Sequence, residues 1–263
     1  MFRTVFLKTL FEKRWMTFWW LLSNLALVLF IVIFFPTLSE SFGQSLKNVP
    51  ESMQSLIGNA EDYRTLAGYL TVQVFQQMIF LTVTLAVIVY TGVLGGDENE
   101  GTLQTLLTHP ISRSKTYWHK LLAATVITLV VTAGMFLASW IGALIIDRPL
   151  DIWRLAQATI MAGVVSVAIG MLGYAFAAIT GKRALAASIA GVYAFLMYII
   201  SSLVESAKSL KAIEYLSPFH WYDHPSPLKG AFDFGDLAIL VGATIVFAVV
   251  GYIVFIKRDI YQR

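Results

Sequence analysis

Six stretches of this chain contain no charged residue: Trp15–Ser39, Thr65–Gly96, Leu121–Ile146, Leu155–Gly181, Ala184–Val204 and Leu237–Ile256. They run 25, 32, 26, 27, 21 and 20 residues. A helix rising ~1.5 Å per residue needs about 20 residues to cross ~30 Å of hydrocarbon, so each stretch is long enough to span a bilayer. The runs are apolar on all sides. Barrel strands would instead alternate polar and apolar positions over ~10 residues. The pattern predicts an all-α membrane protein of six transmembrane helices, over about residues 15–37, 67–95, 120–146, 153–180, 184–204 and 236–257. The segments between them are each below the ~40 residues at which a domain becomes hard to stabilise alone, so 1–263 is expected to be one transmembrane domain.

Finer patterns add detail. Residues 1–14 set Val5, Phe6, Leu7, Leu10 and Phe11 among Arg3, Lys8, Lys13 and Arg14. That spacing predicts a short amphipathic helix on the inner leaflet, with a plain stop-transfer flank as the alternative. After Pro50, Met53, Leu56, Ile57 and Ala60 recur at helical spacing, predicting a helix at the outer interface. Small residues recur in the fourth stretch (Gly163, Ser166, Gly170, Gly173, Ala177) and in the fifth (Ala187, Gly191, Ala194). Such stripes let helices approach closely, within one subunit or across a dimer seam.

Composition agrees with a membrane location: 57% hydrophobic, 13% charged, mean hydropathy +0.71. Soluble domains carry about 25% charged residues. The start of the chain resembles a signal peptide, yet the apolar run is too long and lacks a small-x-small cleavage site, so the first helix is expected to be retained. Without cysteine, disulfides and thiolate metal sites are excluded.

Charge then orients the chain. Six crossings group the N-terminus, the 97–119 segment, residues 182–183 and the C-terminus on one side. With Lys120 counted there, that side carries twelve basic and five acidic residues, the other seven and eleven, giving +7 and −4 within a total of +3. The positive-inside rule places both termini and the 97–119 loop in the cytoplasm, and the 38–66 and 205–235 loops outside. The basic balance reflects topology, so no nucleic-acid partner is expected.

Candidate chemistry is sparse. A phosphate-binding GxxxxGK[ST] loop is missing: Gly181-Lys182 is followed by Arg183, and Phe176 stands where the first glycine belongs. The chain is therefore expected to bind no ATP, and no catalytic, cofactor or metal residue is assigned. His220, Asp223 and His224 would suit a metal on a helix, but prolines at 218, 225 and 227 argue against a helix there and favour an outer loop. Gln73, Gln76 and Gln77 form a polar face in the second stretch, read either as interhelical hydrogen bonding or as lining a substrate path.

The dense charge of 97–119 is the exception. Asp97, Glu98 and Glu100 precede Gly101 and Thr102, predicting a short helix with carboxylates at its positive end, stopped by His109-Pro110. Leu103, Leu106 and Leu107 share one face of it, an apolar patch that a partner protein would cover. Ser112 reads as the N-cap of the next helix, with Arg113, Lys115 and Lys120 anchoring it at anionic headgroups.

These residues resemble the ABC-2 type permeases of ATP-binding-cassette exporters. The resemblance rests on the acidic turn Asp97-Glu98, Gly101-Thr102-Leu103, Leu106-Leu107, Pro110, Ser112-Arg113 and Lys120, with Leu216–His220 before the last span and Phe255–Ile260 after it. Asn99 and His109 depart from the pattern. The resemblance implies a cytoplasmic coupling helix between helices 2 and 3, an ABC ATPase subunit in two copies that binds the ATP and magnesium, and a second permease chain forming a homodimer in the cytoplasmic membrane. The expected function is export of an amphiphilic or hydrophobic substrate such as a lipid-like molecule, peptide or drug. A passive channel or secondary transporter, or a membrane-embedded metal-dependent enzyme, are the alternatives.

Overall fold

The computed structural model describes residues 4–38, 62–102, 111–204, 211–223, 226–230 and 232–258. They form six long apolar helices, and no strand occurs among the described residues. The helices are α1 (Val5–Ile33), α2 (Leu66–Asn99), α3 (Arg113–Ile145), α4 (Ile152–Thr180), α5 (Arg183–Leu203) and α6 (Phe234–Lys257). Their starts follow from short polar caps. Thr4, Thr65, Ser112, Asp151 and Asp233 each accept a backbone N–H of the first turn, which satisfies donors the helix leaves open. Ser112 caps α3 as its position predicts, through Lys115 N at 3.2 Å.

Two expectations change. Residues 5–14 are no separate amphipathic helix; they are the first turns of α1, which runs unbroken to Ile33. No glycine or proline interrupts that stretch, and the Arg14 guanidinium folds back 3.6 Å above the Phe11 ring. The long uncharged run of α2 is also not a plain α-helix. Thr71–Gln77 and Gly92–Gly96 are π-helical turns flanking an α-helical rod, Ile79–Thr91. The helix predicted after Pro50 lies outside the described residues.

Packing divides the helices sharply. In their most apolar windows, 72% of α2 and 78% of α4 is buried inside the protein, against 17% of α1, 17% of α5 and 22% of α6. α4 is the hub, contacting α2, α3, α5 and α6, while α1 packs mainly along α3. The small stripe of α4 explains its centrality. A Cβ on Gly170 would come within 2.6 Å of the Tyr90 ring, and one on Gly173 within 2.9 Å of Thr91. Ser166 Oγ donates to Thr82 Oγ1 at 3.1 Å. This stripe is therefore used inside the subunit, against α2. On α5 the stripe differs: a Cβ on Gly191 would meet nothing within 4 Å.

A buried aromatic cluster ties the half of the bundle nearest the chain ends. Tyr117 donates to Ala248 O (2.8 Å), Tyr174 to Tyr117 O (2.8 Å), and Tyr90 pairs with Thr125 Oγ1 (2.7 Å). Each ring contributes apolar area while its hydroxyl finds a partner, so α2, α3, α4 and α6 are joined at low desolvation cost.

Candidate functional site at the basic end of the bundle

The candidate site is built where α2 runs out. Asp97–Asn99 form its last helical turn, and Gly101, at φ +72, turns the chain away in the left-handed region. Asp97 and Glu98 thus lie at the C-terminal end of α2; Thr102, just past Gly101, is helical again, and the rest of the predicted short helix lies outside the described residues. A carboxylate there opposes the helix dipole, so each needs a cation.

Both have one. Lys120, only 2% exposed, pairs with Asp97 and also donates to Val93 O at 2.6 Å. The expectation that Lys120 meets lipid headgroups is thereby corrected, because α3 turns it inward against α2. Glu98 pairs with Arg258, just past the end of α6. Arg258 also reaches Ile179 O at 3.4 Å. Arg113, at the start of α3, donates to Arg258 O (2.8 Å) and Ile256 O (3.4 Å), carbonyls that α6 leaves open at its end. With its amide oriented to suit its neighbours, Asn99 donates to Gly181 O (2.9 Å) and Gly95 O (3.2 Å).

Close approach here depends on two glycines. Gly181 ends α4 at φ +69, and a Cβ on it would sit 2.5 Å from both Glu98 Oε1 and Arg258 Nη1. A Cβ on Gly95 would lie 3.1 Å from the Arg183 backbone. The ends of α2, α3, α4 and α6 are therefore joined by charge and backbone hydrogen bonds in one compact knot, with α5 starting against it. Both ends of the 97–113 segment belong to it.

The sequence-predicted residues divide as follows. Asp97, Glu98 and Arg113 are in the knot. Glu100 and Thr102 are exposed, with Thr102 Oγ1 donating to Asp97 O at 3.1 Å. Leu103, Leu106, Leu107 and Pro110 lie outside the described residues. Sequence reading named Arg258 only within the Phe255–Ile260 match, without a partner or role, and missed the part played by Gly181 and the inward role of Lys120. The distance between Glu98 and Arg258 along the chain left no local signal.

At the opposite end the bonding is mostly neutral. Gln73 Nε2 donates to Tyr63 Oη (3.2 Å), while Gln76 and Gln77 are half-buried on the same helix. Burial pushes the Tyr63 phenol above its ordinary value, with the Gln73 bond pulling the other way. Tyr69 donates to Ile31 O (3.2 Å) and Tyr222 to Phe75 O (2.7 Å). Despite the prolines, His220–Asp223 does form one helical turn. His220 Nδ1 faces Glu214 Oε1 at 2.8 Å, so its carboxylate neighbour is Glu214. His224 lies outside the described residues. Among the described residues no group of three or more His, Cys, Asp or Glu side chains could hold a metal.

Six apolar helices with two buried central members and a charged knot at one end define a multi-pass helical membrane protein. Residues 11–260 match the family model of the ABC-2 family transporter protein, and the chain belongs to that family. Membership makes it a membrane transport subunit, and the family implies association with an ABC ATPase. No individual curated protein matches it.

Proposed function

We propose that the chain is the permease of an ATP-driven exporter that moves an amphiphilic or hydrophobic substrate across the cytoplasmic membrane. In this reading the basic end faces the cytoplasm and the 97–119 segment is the coupling element. Two ATPase copies bind ATP and magnesium, and two permease chains pair as a homodimer. Glu100, Thr102, Leu103, Leu106, Leu107 and Pro110 contact the ATPase, while Asp97, Glu98, Gly101 and Arg113 carry its motion into the bundle.

One observation carries this reading. The 97–113 segment is anchored at both ends to four spanning helices through Asp97–Lys120, Glu98–Arg258, Arg113–Arg258 O and, to α4, Arg258–Ile179 O. A push on a loop so rooted moves helices instead of being absorbed by slack in the chain. The scarcity of ionisable side chains away from the ends favours hydrophobic cargo over ions. Gln73, Gln76 and Gln77 are the polar contacts proposed for its path.

The test is affinity purification of the full chain in mild detergent, followed by ATPase assays with candidate amphiphiles. An ATPase subunit is expected to copurify and to be stimulated by cargo. Transport without any such subunit would favour a channel or secondary transporter instead.

A further inference from the structure

α2 leaves regular α-geometry twice, and at both places another element grips its backbone. A π-helical turn interrupts the i→i+4 ladder, so carbonyls at the change of register need support from outside the helix. At Gly92–Gly96 that support is Lys120 from α3, donating to Val93 O at 2.6 Å. At Thr71–Gln77 it is Tyr222 from the 205–235 segment, donating to Phe75 O at 2.7 Å. Between the grips lies the 13-residue rod Ile79–Thr91, about 20 Å long, with nine residues buried. Lys120 holds Asp97 with the same ammonium, so the acidic turn and the π-turn share one clamp.

We propose that Lys120 and Tyr222 are positioning residues for transport. They hold the two π-turns in register, so that the rod passes a change at either end of the bundle to the other. Release of Lys120 by movement of the 97–113 segment loosens Gly92–Gly96, shifts the rod and weakens the Tyr222 grip at the far end. The inference rests on the transport reading only for what drives the movement. The coupling itself belongs to the isolated chain.

Its signature is reciprocity, since coupling between two sites must act equally in both directions. The experiment is amide hydrogen exchange, read by mass spectrometry, on the full chain in lipid nanodiscs. Lys120→Met is expected to raise exchange several-fold at 92–96 and also at 71–77. Tyr222→Phe is expected to raise it at 71–77 and also at 92–96. Lys120→Arg, which keeps the cation, is expected to restore protection at both turns. A merely structural role would loosen only the turn beside each substitution or raise exchange in all the spanning helices alike, and either result overturns the proposal. Should Lys120→Met fail to fold, Tyr222→Phe decides alone: unchanged exchange at 92–96 refutes the coupling. Neither result depends on whether an ATPase copurifies.

Discussion

The two ends of the bundle are fastened by different chemistry. At the basic end, buried or half-buried charges bind each other and open helix carbonyls: Lys120 with Asp97, Arg258 with Glu98, Arg113 with the end of α6. At the opposite end one ion pair, Asp62–Lys229 at 2.6 Å, joins two segments outside the long helices, and the bonds that reach the spanning helices are neutral, from Tyr69, Tyr222, Gln73 and the Ser201–Ser217 pair at 2.7 Å. Charged partners in poor solvent are costly to separate, whereas neutral hydroxyl bonds exchange for water at about 1 kcal/mol each. Under the proposed function the two ends take different roles, the basic end as the block that would transmit displacement and the other as the end that would give way at lower cost.

That contrast is broken most directly at Lys120. Lys120→Met leaves Asp97 without its cation in a partly buried site and is expected to cost about 3–5 kcal/mol, read as a large fall in thermal midpoint in detergent. A small fall would mean the knot is not stiff. Gly181→Ala comes next. The left-handed backbone alone costs about 1–2 kcal/mol, and the new methyl would also press Glu98 and Arg258 apart, so a clear drop in midpoint is expected.

Packing sharpens the comparison between centre and periphery. Gly170→Ala overpacks the α2–α4 seam against Tyr90 and should destabilise by about 1–3 kcal/mol. Gly191→Ala, with open space at its Cβ, should leave the midpoint unchanged or slightly raised. Equal effects would contradict the assignment of α4 as the hub. The smallest loss among the destabilising substitutions is expected at the opposite end, where Tyr222→Phe removes one hydrogen bond worth about 1 kcal/mol.

Much of the fold was legible in the sequence because lipid imposes a simple rule on each segment separately. Charge-free length gave the six helices, and Ser112 gave the start of α3. What escaped depends on partners far along the chain. The run Thr65–Gly96 is longer than a bilayer needs, but nothing local tells which turns take π-geometry. The donors that support them are Lys120 and Tyr222, on other elements. Lys120 itself follows the ordinary pattern of a headgroup anchor, and only the packing of α3 against α2 turns it inward. The acidic turn also ends α2, which its sequence does not reveal: Gly101, at positive φ, separates that end from the helical Thr102. His220 was weighed with His224, four residues on, while its carboxylate neighbour Glu214 lies six residues back.

The most direct measurement is copurification of an ABC ATPase subunit with the tagged full chain and with its Glu100→Lys, Leu106→Asp double variant. These substitutions alter the loop and leave the residues of the knot in place. The ATPase is expected with the unaltered chain and lost with the variant, while both show the same thermal midpoint. Undiminished copurification with the variant would contradict the coupling role of 97–119.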